Sequence, residues 1–233
     1  MKRTTFLVAL LFLGTVFSGG AGIAFAAEEA DAQATVDKAE LAFKSFMADE
    51  NFAEMRKLVK KAKGILIAPQ VLKGALVVGA SGGTGVFLVR GAGKWSPPAF
   101  YTIGSMSLGL QVGGQASEVI LLAMTDKGVE TLLEDSVKLG ADIGMAAGPY
   151  GGGVQAATAN AADLSADVLA FSRSKGLYGG VSLDGAVVKV RDKLNESYYG
   201  KGATPEKILV KRSASNGGAN RLRSQVAKLA GGK

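Results

Sequence analysis

Between residues 64 and 190 the hydrophobic pattern repeats every second residue, and many of the intervening positions are glycine. Met106, Leu108, Leu110 and Val112 alternate with Ser107, Gly109, Gln111 and Gly113. Leu139, Ala141, Ile143 and Met145 alternate in the same way with Gly140, Asp142, Gly144 and Ala146. A period of two is that of a strand with one apolar face and one face of small or polar groups. Residues 119–124 are apolar on both faces, as a strand at the centre of a sheet is. Further strands are expected at 65–68, 75–78, 85–90, 99–103, 167–173, 177–183 and 186–190. Short glycine-rich breaks separate most of them, and parallel strands need long crossovers, so the pairing is expected to be mainly antiparallel. Glycine inside a strand marks a bend, a bulge or a close approach, so one sheet face should be smooth and closely covered.

Helical periodicity brackets this region. Val36, Ala39, Phe43 and Met47 recur at spacings of three and four, while Leu41 lies off their stripe. Asp49, Glu50 and Asn51 interrupt the pattern and offer caps for a second helix, in which Phe52, Met55, Val59 and Ala62 share a face. Arg56, Lys57, Lys60, Lys61 and Lys63 occupy the rest of its circumference, and Gly64 is expected to end it. Thr125 is expected to cap a short helix through Glu134. Residues 190–199 read as a helix, Thr204 with Pro205 as the start of another, and Leu222, Val226 and Leu229 as the buried stripe of a last one. The expected fold class is therefore α+β. Mainly antiparallel sheets, sandwich- or barrel-like, carry N-terminal and C-terminal helices packed on them. The expected organisation is a leader at 1–26, an amphipathic helical region at 27–63, a β-rich core at 64–200 and a basic helical tail at 201–233. No linker divides 65–200.

The leader reading rests on three features. Lys2 and Arg3 form a positive start, an uncharged run follows from Phe6 to Phe17, and Ala24-Phe25-Ala26 supplies a small-x-small cleavage pattern. The dense apolar run is shorter than the roughly 20 residues a spanning helix needs. Export to the periplasm is expected, with secretion or outer-membrane association as the alternatives. Cleavage after Ala26 takes 26 of 233 residues and two positive charges, leaving 207 residues and reducing the net charge from +7 to +5. Outside the cytoplasm a basic protein meets anionic phospholipid or polysaccharide rather than nucleic acid.

The chain has no histidine and no cysteine. That removes Ser-His-Asp triads, Cys-His dyads, the usual zinc sites, disulfides and a lipoprotein anchor. No cofactor is implied. The segment 79–85, Gly-Ala-Ser-Gly-Gly-Thr-Gly, fits neither a dinucleotide fingerprint, since Leu88 stands where a glycine is required, nor a P-loop. A hairpin turn is expected there. Ser172 and Lys175 have the Ser-x-x-Lys spacing of acyl-transferring enzymes, but the companion motifs are absent, so chemistry at this pair is the third reading, behind lipid binding and protein binding. A second basic cluster lies in the tail: Lys201, Lys207, Lys211, Arg212, Arg221, Arg223, Lys228 and Lys233, offset by Glu206.

Residues 62–69, 73–79, 95–100, 109–115, 139–142 with 147–149, 172–185 and 195–200 resemble the SYLF domain, in family order over about 165 residues. The resemblance implies a non-enzymatic module that binds phosphoinositides or other anionic lipids, described as actin-binding in fungal members. In eukaryotic members an N-terminal amphipathic helix and nearby basic residues carry much of the lipid binding, and 33–63 corresponds to it here. Lys38 and Lys44 are offset by Asp37 and Glu40, so the positive charge concentrates in 56–63. The reading is an exported, bacterial-type SYLF protein that binds an anionic membrane surface. Arg56, Lys57, Lys60, Lys61 and Lys63 are the headgroup candidates, with Lys73, Arg173 and Lys175 as additional ones. A scaffold that binds another protein is the alternative.

Overall fold

The computed structural model describes residues 20–75, 78–108, 113–148, 165–175 and 183–230. Helix α1 (Gly20–Ala48) is followed by a 3-10 turn (Glu50–Phe52) and α2 (Ala53–Val59). The long strands are β1 (Gly64–Ala75), β2 (Val78–Gly91), β4 (Ala99–Leu108) and β5 (Gly113–Ala123). The short strands are β3 (Lys94–Trp95), β6 (Ser136–Lys138), β7 (Met145–Ala147), β8 (Val168–Lys175) and β9 (Val187–Val190). Helix α3 (Asp126–Leu132) stands between β5 and β6. Helix α4 (Asp192–Tyr199), a wide turn at Glu206–Val210 and α5 (Asn220–Ala230) close the order.

The strands form one sheet in the order β6-β9-β4-β2-β1-β5-β8-β7, with β3 paired to β2 alone. Every pairing is antiparallel except that of β7 with β8. The two edge strands are joined by one tight turn, in which Gly140 N donates to the Ile143 carbonyl at 3.0 Å and Leu139 bridges Ile143. The sheet is therefore rolled until its edges meet at one end. Gly140 holds a φ of +82°, and a Cβ there would lie 2.2 Å from Asp184 Oδ1. The strand expected over 139–145 is thus this turn, because a left-handed residue and the roll of the sheet override the period-two pattern.

Alternation assigns each strand's two faces to two cores. Ile65, Ile67, Val86, Leu88, Ile120, Leu122, Leu169 and Phe171 point outward and pack under α1, α2, α4 and α5. Leu66, Ala68, Phe87, Val89, Val119, Leu121 and Tyr101 point inward with Leu132, Ile208 and Leu209. The stripe expected on α1 is buried as read: Val36, Ala39, Phe43 and Met47 are covered, and Leu41 is exposed. Phe52 at the end of the 3-10 turn and Met55 and Val59 in α2 are fully buried. Thr125 caps α3 by accepting from Gly128 N at 2.9 Å.

Two further assignments differ from the expectations. Gly64 opens β1 rather than ending α2, which stops at Val59. The segment 79–85 is no hairpin turn: it lies inside β2 and pairs with β1 on one side and β4 on the other. The physical reason is a bulge in β1 at Pro69 and Gln70, where the register slips against both neighbouring strands. A Cβ on Gly83 would lie 2.1 Å from the Gln70 carbonyl oxygen, and one on Gly85 would lie 2.7 Å from that of Ile67. Glycine here serves close approach within a strand, not a turn. The β1–β2 connection falls at 76–77 and the strand expected at 177–183 lies mostly in 176–182. Both segments are outside the described residues.

A basic end of the sheet as candidate functional site

The end of the sheet where β1 begins and β2 finishes is held together by arginine. Arg90 Nη1 donates to the Lys60 carbonyl at 2.8 Å, and Nη2 donates to the Val59 and Ala230 carbonyls at 3.2 and 2.8 Å. One guanidinium so closes the C-terminal ends of α2 and α5, where carbonyls lack helical partners and a cation is favoured. It also stacks 4.7 Å from the Trp95 ring centre. Burial lowers its pKa from the usual arginine value. Arg223 Nη2 donates to the Trp95 carbonyl and Arg212 Nη2 to that of Lys94. The β2–β3 hairpin, α2 and α5 are thereby fixed side by side.

This packing gathers ammonium groups from three separate segments: Lys57, Lys60 and Lys61 around α2, Lys94 on β3 and Lys228 on α5, all exposed. Lys57 pairs with Glu54 at 2.7 Å. Among the described residues, Lys60, Lys61, Lys94 and Lys228 have no carboxylate within ion-pairing distance.

The remaining predicted residues are elsewhere or otherwise engaged. Arg56 donates to the Asp49 and Met47 carbonyls at 2.7 and 3.3 Å, closing the end of α1. Lys63 pairs with Asp126 at the start of α3. Arg173 is mostly buried on the outer face of β8. It bonds Glu118 through Nε at 3.0 Å and through Nη2, Asp49 Oδ2 through Nη1 at 3.2 Å, and Ser45 Oγ at 2.9 Å, over the Phe46 ring. Burial would lower its pKa, but the hydrogen bonds and negative charge of Glu118 and Asp49 outweigh it and hold the guanidinium above its usual value. Lys73 lies half-buried on the inner face near the far end of β1, about eight residues from the basic end. Lys175 ends β8, and its side chain is outside the described residues. The structure thus brings together Lys57, Lys60 and Lys61 and leaves Arg173 and Lys73 apart from them. Lys94 and Arg90 were not read from the sequence. The Arg90–Trp95 pair has no local signal, because it forms across a hairpin.

Positions 172 and 175 are three apart along β8, where successive register positions alternate between the two faces of the sheet. Among the described residues no group of three His, Cys, Asp or Glu could hold a metal, and no helix is long and apolar enough to cross a membrane.

The structure is thus a rolled sheet clasped by terminal helices, with cations collected at one end. Residues 104–229 match the family model described as "Ysc84: Las17-binding protein actin regulator". The chain belongs to this Ysc84, or SYLF, family. It is 32% identical over 154 residues to LAS seventeen-binding protein 3 of Saccharomyces cerevisiae, covering 65% of this chain and 33% of that protein. It is 32% identical over 144 residues to human SH3 domain-containing YSC84-like protein 1, covering 61% and 41%. An SH3 domain-containing protein of Schizosaccharomyces pombe is 30% identical over 167 residues, covering 71% and 39%. The chain thus spans about a third to two fifths of the curated relatives it matches. No solved structure matches it.

Proposed function

We propose that this chain is a non-enzymatic module that adheres to anionic lipid surfaces through its basic end, after export directed by 1–26. The observation that carries the reading is the convergence of Lys57, Lys60, Lys61, Lys94 and Lys228 from three segments, with Glu54 their one ion-pair partner among the described residues. At about 1 kcal/mol per cation near an anionic bilayer, five less one give roughly 4 kcal/mol. That corresponds to about millimolar affinity, so adhesion by charge is transient and salt-dependent. Because Phe52, Met55 and Val59 are fully buried, α2 presents ammonium groups without an inserting apolar face. Among the described side chains of α1 the first that is buried is Ala32, which lies beyond the expected cleavage point after Ala26.

Vesicle co-sedimentation tests the reading. The protein should pellet with phosphatidylglycerol vesicles and not with phosphatidylcholine vesicles. It should be released at about 1 M salt, where the screening length falls to about 3 Å. The double variant Lys60→Glu/Lys61→Glu should stay in the supernatant at low salt. Equal pelleting with both vesicle types, or unchanged pelleting of the variant, removes the proposal. N-terminal sequencing of the protein recovered from its native host should begin at Ala27.

A second reading, a module that binds another protein, is favoured by the names of the relatives, which describe Las17 binding. A partner retained by the Lys60→Glu/Lys61→Glu variant would support it.

A further inference from the structure

An open groove of about 420 Å³ lies between α1 and the bulged part of the sheet, well away from the basic end. Its size falls within the roughly 300–1,000 Å³ of small-ligand sites. One wall is α1, with Lys38 and Leu41. The opposite side is Pro69 and Gln70 at the bulge of β1, with Ala116 and Glu118 on β5. Here lies the residue that broke the apolar stripe of α1: Leu41 is 61% exposed while its helical neighbours in the stripe are covered. The apolar surface continues out of the groove. Ala116 is paired in register with Leu72, which is 55% exposed, and Met106, 83% exposed, follows two strands across on the same face. Only Gly82, Gly104 and Ala80 intervene.

The charges in and around the groove are few. Glu118 is neutralised by Arg173, which also holds Ser45 and Asp49. Lys38 is exposed at the groove and, among the described residues, pairs with no carboxylate. Among the described residues the groove therefore offers one uncompensated cation, Lys38, beside the apolar side chains of Leu41, Pro69 and Ala116, with Ser45, Gln70 and Ser117 as polar lining.

We propose that this groove binds a single-chain anionic amphiphile, with its head group on Lys38 and its hydrocarbon tail laid over Leu41, Pro69 and Ala116 toward Leu72. The proposal is independent of adhesion by the basic end. A fatty acid and a lysophospholipid share this chemistry.

Equilibrium dialysis of the delipidated full chain tests it, with palmitate and lysophosphatidylglycerol each kept below its micelle concentration. Saturable binding of either at one molecule per chain is expected, and the two arms tell which head group is preferred. Leu41→Asp changes an exposed residue and should weaken both at least tenfold. Ala116→Trp should fill the groove with the same result. Lys38→Gln should cost about fivefold against the anionic probes, the factor that about 1 kcal/mol gives, and nothing against an uncharged monoacylglycerol of equal chain length. The Lys60→Glu/Lys61→Glu variant should retain amphiphile binding whether or not it pellets with vesicles. Absence of binding, complete competition by inorganic phosphate, or affinity unchanged in the folded Leu41→Asp protein overturns the proposal.

Discussion

Two adjacent glycines of β2 give the sharpest test of how this sheet is built. A Cβ on Gly82 meets nothing within 4 Å, whereas a Cβ on Gly83 would lie 2.1 Å from the Gln70 carbonyl oxygen and 3.0 Å from Val71 Cα. Ordinary contact begins near 3.4 Å, so the backbone of β1 would have to retreat by more than 1 Å. That strand is bonded to β2 on one side and β5 on the other, so the retreat strains two ladders at once. Overpacking a core typically costs 1–3 kcal/mol, and a rigid backbone partner puts Gly83→Ala at about 3 kcal/mol. Alanine in a strand recovers roughly 0.5 kcal/mol of backbone entropy at either position. Gly83→Ala should then lower the melting temperature by roughly 5–10 °C, at about 2–4 °C per kcal/mol for a chain of this size. Gly82→Ala should leave it unchanged or slightly raised. Calorimetry of the two variants decides the matter, and equal melting temperatures would refute the bulge as the reason for Gly83.

Arg173→Met should cost about 2 kcal/mol in denaturant melts. It leaves Glu118 and Asp49 facing a thioether, but their partial exposure keeps the loss below the 3–5 kcal/mol of a fully buried pair. A loss under about 0.5 kcal/mol would place the network among surface ion pairs. The phenols of Tyr101, Tyr198 and Tyr199 should give no phenolate absorbance near pH 10. Burial raises all three, Tyr198 to about 12 and the more deeply buried Tyr101 and Tyr199 further, with Asp192 and Asp135 adding to the effect at Tyr101. Since the folded values lie above the unfolded value of about 10, their stabilising contribution is complete below that pH and is lost as pH rises past it. Alkaline unfolding should therefore accompany phenolate formation, and titration of all three at pH 10 in the folded protein would contradict the packing.

The alternation of apolar residues made most long strands legible, because each strand buries both faces and its side chains divide between two cores. Where glycine carried the pattern, the same signal misled. Gly79, Gly82, Gly83 and Gly85 read as a turn, since a sequence cannot show that the facing strand bulges toward them. The turn at 139–144 was hidden for the converse reason: its residues alternate, and only the roll of the sheet bends them. At the candidate site, the cations of 56–63 were visible as a local run, while their separation into free and engaged groups was not. Arg56 and Lys63 differ from Lys60 and Lys61 only in what tertiary packing brings near them: two carbonyls at the end of α1 and the carboxylate of Asp126.

That separation also bears on how a membrane could be met. The resemblance assigns lipid binding in eukaryotic relatives to an amphipathic N-terminal helix, but here the apolar stripe of α1 is spent on the sheet. Lifting α1 off would expose Ile65, Ile67, Val86 and Leu88, all fully buried, to water. At about 1.5–3 kcal/mol each, that costs roughly 6–12 kcal/mol. Insertion of Phe43, Phe46 and Val36 into lipid would return little, because those side chains only exchange one apolar surrounding for another. The roughly 4 kcal/mol available from the basic end does not cover the difference. The docked helix prevails, so the adhesion proposed for this chain would use the folded module and the charges already at its surface.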